Sequence, residues 1–169
     1  MMSSVQQAPK QRVKEVIVVD AEGQILGRMS SQIVKLMKQA IKEGKEAEVH
    51  IVNSEKAVVS GPWNKVINGY KLLFTVRTLW NPEKQGIRRP RNPARIVKRT
   101  IRGMLPKNAT GRIMYKSIKA YVGYPEEIKA MVEKGQARLV KFKEADVSRL
   151  KGKYVTVLEI AEAMGWKGA

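Results

Sequence analysis

The chain has no cysteine, a single histidine, and only 15 acidic residues against 33 basic ones in 169. Without cysteine, disulfide frameworks and thiolate metal sites are excluded. The lone histidine, His50, cannot build a multi-histidine metal cluster and reads as a structural residue inside a strand. No apolar run approaches the roughly 18 residues that a membrane span requires. The opening Met1 to Lys10 lacks the apolar centre of a signal peptide, so a cytoplasmic protein with a disordered basic start over residues 1–12 is expected. Glycine-rich nucleotide loops are missing too, because the first turn offers only Gly23 and Gly27 with three residues between them. Neither a metal nor another cofactor is expected, and no small-molecule substrate.

What is abundant is positive charge: the net charge is +18, with a pI near 10.3. Between residues 77 and 119 stand thirteen cations and one acid, Glu83, so two thirds of that net charge occupies a quarter of the chain. Eight of the twelve arginines lie there. A guanidinium presents a planar fork of donors that matches phosphate oxygens better than an ammonium does. Cations at this density repel one another unless a polyanion binds, and counterion release makes nucleic acid the natural partner. An anionic membrane fits less well, because Pro90 and Pro93 interrupt any continuous amphipathic helix in this stretch.

The layout within the stretch is specific. Lys84, Arg88, Arg89 and Arg91 are interleaved with Gly86, Pro90 and Pro93, which disfavours helix and central strand alike, and predicts an extended basic arm. Asn92 as N-cap and Pro93 at the first helical position then start a helix to about Met104. At 100° per residue, Arg95, Lys98, Arg99 and Arg102 share one face and Val97, Ile101 and Met104 the opposite one. After a break at Leu105 and Pro106, followed by Lys107, the cations Arg112, Lys116 and Lys119 repeat the spacing against Ile113, Met114 and Ile118.

Elsewhere the pattern is that of an α/β core. Glu15 to Asp20 and Glu48 to Val52 read as buried strands flanking a helix from about Arg28 to Glu43, a parallel strand-helix-strand unit. In that helix Met29, Ile33, Leu36, Met37, Ala40 and Ile41 form the apolar face. Gly23 is expected to supply a positive φ in the turn after Asp20, and Gly27 to let the helix approach the strand. A further short strand is expected at Ala57 to Val59, a helix after Gly61 and Pro62 carrying Trp63, Val66, Ile67, Tyr70, Leu73 and Phe74, and a last strand at Ala120 to Gly123. Pro125 opens a helix with Glu126 and Glu127 in its first turn, residues 134–153 show weak patterning, and Thr156 with Glu159 forms a capping box for a final helix.

Asp20, Asn53 and Glu55 fall at the carboxyl ends of the first two strands, where open α/β sheets place their ligands. An enzyme using them is therefore one alternative, and a protein coating duplex DNA is another. No pair of carboxylates has a spacing suited to acid-base work.

Three stretches, Asp20 to Arg28 (DAEGQILGR), Val52 to Gly61 (VNSEKAVVSG) and Arg102 to Lys107 (RGMLPK), resemble in order and spacing the universal L-thirteen family of large-subunit ribosomal proteins. Arg95 to Arg102 and the ending around Gly165, Trp166 and Lys167 are similar to its archaeal and eukaryotic branch. Bacterial members carry a His-Pro-His pattern where this chain has Tyr124, Pro125 and Glu126. The resemblance implies a three-layer α/β/α domain with a small, mostly parallel sheet. It also implies binding to large-subunit ribosomal RNA beside neighbouring ribosomal proteins, a role in early subunit assembly, and no enzymatic activity.

The expectations are thus an α/β core over residues 13–125 that includes the basic segment 77–119, and a C-terminal, largely helical extension over 126–169. RNA contacts are expected from Lys84, Arg88, Arg89, Arg91, Arg95, Lys98, Arg99, Arg102, Lys107, Arg112, Lys116, Lys119 and Arg28. Asp20, Gly23 and Gly27 are expected to shape a turn.

Overall fold

The computed structural model describes residues 14–76, 81, 84 and 88–168. The expected disordered start over residues 1–12 lies outside them, as do Arg77, Glu83 and the Gln85 to Ile87 part of the arm.

Strand β1 (Lys14–Asp20) and strand β2 (Glu46–Val52) run parallel in register and flank helix α1 (Leu26–Lys42). The β-branched run in β1 is buried on both faces. Ile17 and Val19 enter the main core, while Val18, with Val16 beside it, enters a smaller one. Period-two alternation therefore feeds two helical layers from one strand.

The rest of the chain completes those layers. After a 3-10 turn at Ser54–Lys56, strand β3 (Val58–Ser60) leads to helix α2 (Trp63–Thr75), then helix α3 (Pro93–Met104), helix α4 (Ala109–Lys116) and strand β4 (Ile118–Ala120). Helix α5 (Glu126–Glu133), strand β5 (Ala137–Val140), strand β6 (Tyr154–Thr156) and helix α6 (Val157–Ala163) follow. The central sheet has the order β4-β2-β1-β5 with every pairing parallel, and β3 pairs with β6 in a separate antiparallel ribbon.

From β1 to β2 to β4 the chain steps one way across the sheet, so right-handed crossovers put α1 and α3 on the same face. The step to β5 reverses direction and carries α5 to the other face, where Ile128 closes on Val18, Val52 and Ala137. The result is the expected α/β/α layering with a small parallel sheet.

Several expectations are corrected in detail. The strand expected at Ala120 to Gly123 lies at Ile118–Ala120 and is followed by two more strands. Residues 134–153, whose patterning is weak, contain β5, which is hydrogen-bonded along β1. Its only buried side chain is Ala137, so this edge strand carries no apolar alternation to read. The third strand, expected at Ala57 to Val59, pairs with β6 outside the main sheet. The C-terminal segment is woven into the core: the Val157 amide donates to the Ala57 carbonyl (2.8 Å), and Val157, Ile160 and Ala161 are buried. The capping box of Thr156 and Glu159 is present as expected.

Gly23 has the expected positive φ of 67°. Gly27 does not have the expected role: it is exposed in the first turn of α1, and a Cβ there would meet nothing within 4 Å. Helix and strand approach through Leu26 and Met29 instead, which are buried beneath it.

Candidate nucleic-acid interface

Helix α3 is built as its sequence predicts. The Asn92 side chain accepts a hydrogen bond from the Ala94 amide (2.9 Å) and Pro93 occupies the first turn, where its missing N–H is not needed. Ile96, Val97 and Ile101 are buried in the main core, whereas Met104, expected beside them, is exposed at the last turn. On the opposite face Arg95, Arg99 and Arg102 are exposed, and Lys98 is half-buried.

The chain then turns through Leu105 and Pro106 into α4, capped by the Asn108 side chain, which accepts from the Gly111 amide (3.0 Å). Gly111 is buried, and a Cβ at this position would overlap the Pro106 carbonyl. That close approach fixes the turn from which Lys107 projects. Lys107, Arg112, Lys116 and Arg102 consequently rim one groove of about 520 Å³, with Leu105, Pro106 and Gly111 among its lining.

Tyr115 joins the two helices. Its ring lies 4.8 Å from the Lys98 ammonium and 5.7 Å from the Arg102 guanidinium, a cation–π arrangement that orders both side chains. Burial, and then the charge of Lys119, lowers the pKa of Lys98. Arg95, Lys98, Arg99, Arg102, Lys107, Arg112 and Lys116 form no ion pair among the described residues. Among the described residues this surface is thus pre-charged and uncompensated.

Not every expected contact joins it. Lys119 belongs to β4 rather than to the helix face, and its ammonium lies 2.6 Å from the Glu48 carboxylate on β2. That hydrogen bond lowers the pKa of Glu48 and raises that of Lys119, so this cation is already neutralised within the sheet. Ile113, expected to face inward, is 60% exposed, and with Ile41 at 38% it lines a groove of about 280 Å³ between α1 and α4.

At the arm, Lys84 and Arg88 are exposed and Arg89 is half-buried. Arg91 stacks 5.3 Å over the Phe74 ring of α2, which tethers the end of the arm to the core. Arg28 is exposed on α1, and it shares a face with Lys35, Lys38 and Lys42, all exposed and without an ion pair among the described residues. Only the apolar face of this helix is named from the sequence; the same 3.6-residue period contains the signal that groups these lysines with Arg28.

The carboxyl edge of the sheet is occupied by internal bonds. Asp20 Oδ1 accepts from the Glu22 amide (3.0 Å) and from Asn53 Nδ2 (2.9 Å), and Lys141 lies 3.8 Å from the second oxygen. Glu55 accepts from the Gly123 amide (2.9 Å), and Asn53 has a left-handed φ of 53°. These side chains stitch β1, β2 and the segment after β4 together. Among the described residues, no cluster of three His, Cys, Asp or Glu side chains could hold a metal ion.

His50 is buried between Glu48 and Tyr121, with Nδ1 3.2 Å from the Tyr121 hydroxyl and Nε2 3.4 Å from the Glu48 carboxylate. Burial lowers its pKa, Glu48 opposes that shift, and Lys119 adds to it. A depressed folded-state value means that the neutral ring is favoured by folding. Its stabilising contribution is complete above the unfolded pKa of about 6.5 and is lost as pH falls through the folded value. Urea midpoints measured between pH 7 and pH 5 should fall for the wild type and fall less for His50→Gln.

A parallel α/β/α domain whose α3 and α4 present cations unpaired among the described residues, beside a carboxyl edge filled by its own hydrogen bonds, has the make-up of a charged scaffold. The profile of the family described as Ribosomal protein L13 matches residues 14–127. The chain is 53% identical over 152 residues to the large ribosomal subunit protein uL13 of Sulfolobus acidocaldarius, covering 90% of this chain and 95% of the relative. It is 56% identical over 155 residues to the uL13 of Saccharolobus solfataricus, covering 92% and 96% respectively. The chain belongs to the ribosomal protein L13 family. It is therefore one of a family of structural components rather than enzymes.

Proposed function

We propose that this chain is a structural component of the large ribosomal subunit in the cytoplasm. In this reading it holds ribosomal RNA on the cationic faces of α3 and α4, with the arm through Lys84, Arg88, Arg89 and Arg91 as a further clamp, and so supports subunit assembly. The observation that carries this reading is the set of seven cations from Arg95 to Lys116, six on α3 and α4 and Lys107 on the turn between them, that form no ion pair among the described residues. The uL13 names of the archaeal relatives place those proteins in the large subunit and agree with it.

Rigid A-form RNA displays phosphates and 2′-hydroxyls, so recognition through these faces is chiefly of shape. If about eight phosphates are contacted, log affinity for large-subunit RNA falls with log salt at a slope of roughly −6 to −7. Filter binding across a salt series measures it. A slope near zero would sink the proposal. Sucrose-gradient fractionation of native lysate gives the cellular test: the chain should sediment with the large subunit through a moderate salt wash.

A further inference from the structure

Between α2, residues 88–91 and α3 lies a second cavity, of about 190 Å³, whose lining differs in kind from the open cationic groove. Two aromatic rings, Tyr70 and Phe74, and the aliphatic Leu73 and Ile96 supply apolar wall, and Arg89 and Arg99 supply charge. Arg89 Nε is buried there without an acceptor among the described residues. A buried guanidinium donor left unpaired costs stability, so a ligand that brings an acceptor is favoured. Tyr70 is half-buried, and its hydroxyl makes no hydrogen bond among the described residues. The Thr100 hydroxyl donates to the Ile96 carbonyl (3.0 Å), which leaves its oxygen free to accept.

We propose that this cavity takes one unstacked nucleobase of the bound RNA, an inference that rests on the RNA-binding reading above. A base offers a flat ring for the aromatic and aliphatic wall, a ring carbonyl or nitrogen for Arg89 Nε, and a flanking phosphate within the field of Arg89 and Arg99. A bare phosphate would face an apolar wall and forgo the aromatic contacts. An apolar side chain of a neighbouring protein would fill the wall and leave the Arg89 donor unpaired. Bases paired within an A-form helix do not present a free face, so the nucleotide is extrahelical. This site reads a nucleotide, where α3 and α4 read backbone.

Ultraviolet irradiation of intact large subunits, followed by mass spectrometry of nucleotide-bearing peptides, tests the occupant. The expected product joins the peptide containing Tyr70 to Phe74 to one nucleotide, which chemical probing of the same subunits finds unpaired. In parallel, R89K, which keeps the charge and removes the planar fork, should weaken binding to naked large-subunit RNA about tenfold without changing the salt slope. R138K, at an exposed site on β5 outside the proposed interface, should change binding less than twofold. Wild-type affinity in R89K, a crosslink from Tyr70 to Phe74 into a neighbouring protein, or a base-paired crosslinked nucleotide would each overturn the pocket while leaving the backbone contacts standing. Wild-type protein that shows no salt-dependent RNA binding at all would overturn both.

Discussion

Reversing the charge of α3 with R95E, K98E, R99E and R102E together is expected to abolish entry into the large subunit while the domain stays folded. Four phosphate contacts become four repulsions, so the salt slope loses roughly 3 to 4 even before repulsion is counted. Folding should survive because the side of α3 that meets the core, Ile96, Val97 and Ile101, is untouched. The internal cost is confined to the Tyr115 ring, where the Lys98 and Arg102 stacking is worth about 0.5–1 kcal/mol per contact at exposed sites. Gradient sedimentation of the tagged variant, beside its circular dichroism spectrum and melting curve, separates the two effects. A folded quadruple variant that still enters subunits would remove α3 from the interface.

The second large effect is expected from one methyl group. Gly111→Ala places a Cβ on top of the Pro106 carbonyl, and both partners are backbone, so no flexible side chain can swing aside. Overpacking of this kind costs about 3 kcal/mol, the upper part of its usual range. For a domain of this size that lowers the melting temperature by roughly 6–12 °C. The injury should reach function as well, since Pro106 and Gly111 line the α3–α4 groove together with Lys107 and Arg112. Gly103→Ala is the control: a Cβ there meets nothing within 4 Å, and the helix should gain slightly in propensity. Comparable melting temperatures for the two variants would show that the turn can relax.

Much of this was readable because it is local. The Asn92–Pro93 start of α3, its division into cationic and apolar faces, and the Thr156 capping box each depend on residues within one or two turns of each other, and the structure has them. The strand-helix-strand unit of β1, α1 and β2 was equally legible, since β-branched runs buried on both faces carry their own signature. Where the pattern weakened, reading failed. β5 buries only Ala137, and β3 finds its partner nearly a hundred residues later in β6, a pairing that no local period encodes.

The candidate interface divides along the same line. Composition alone pointed to a polyanionic partner, because thirteen cations against one acid in residues 77–119 cannot be neutralised from within their own segment. Periodicity determined which of them share a helix face. Tertiary structure alone decided which charges remain free: Lys119 has the same spacing as Arg112 and Lys116, yet the parallel pairing of β4 with β2 sets it against Glu48. It also decided that Asp20 and Asn53 hold each other, that a Cβ would overlap backbone at Gly111 but meet nothing at Gly27, and that Arg89 reaches an aromatic cavity with a donor unpaired among the described residues. Charge and helical phase are properties of neighbours along the chain, whereas neutralisation and steric exclusion depend on partners that only the folded chain brings together.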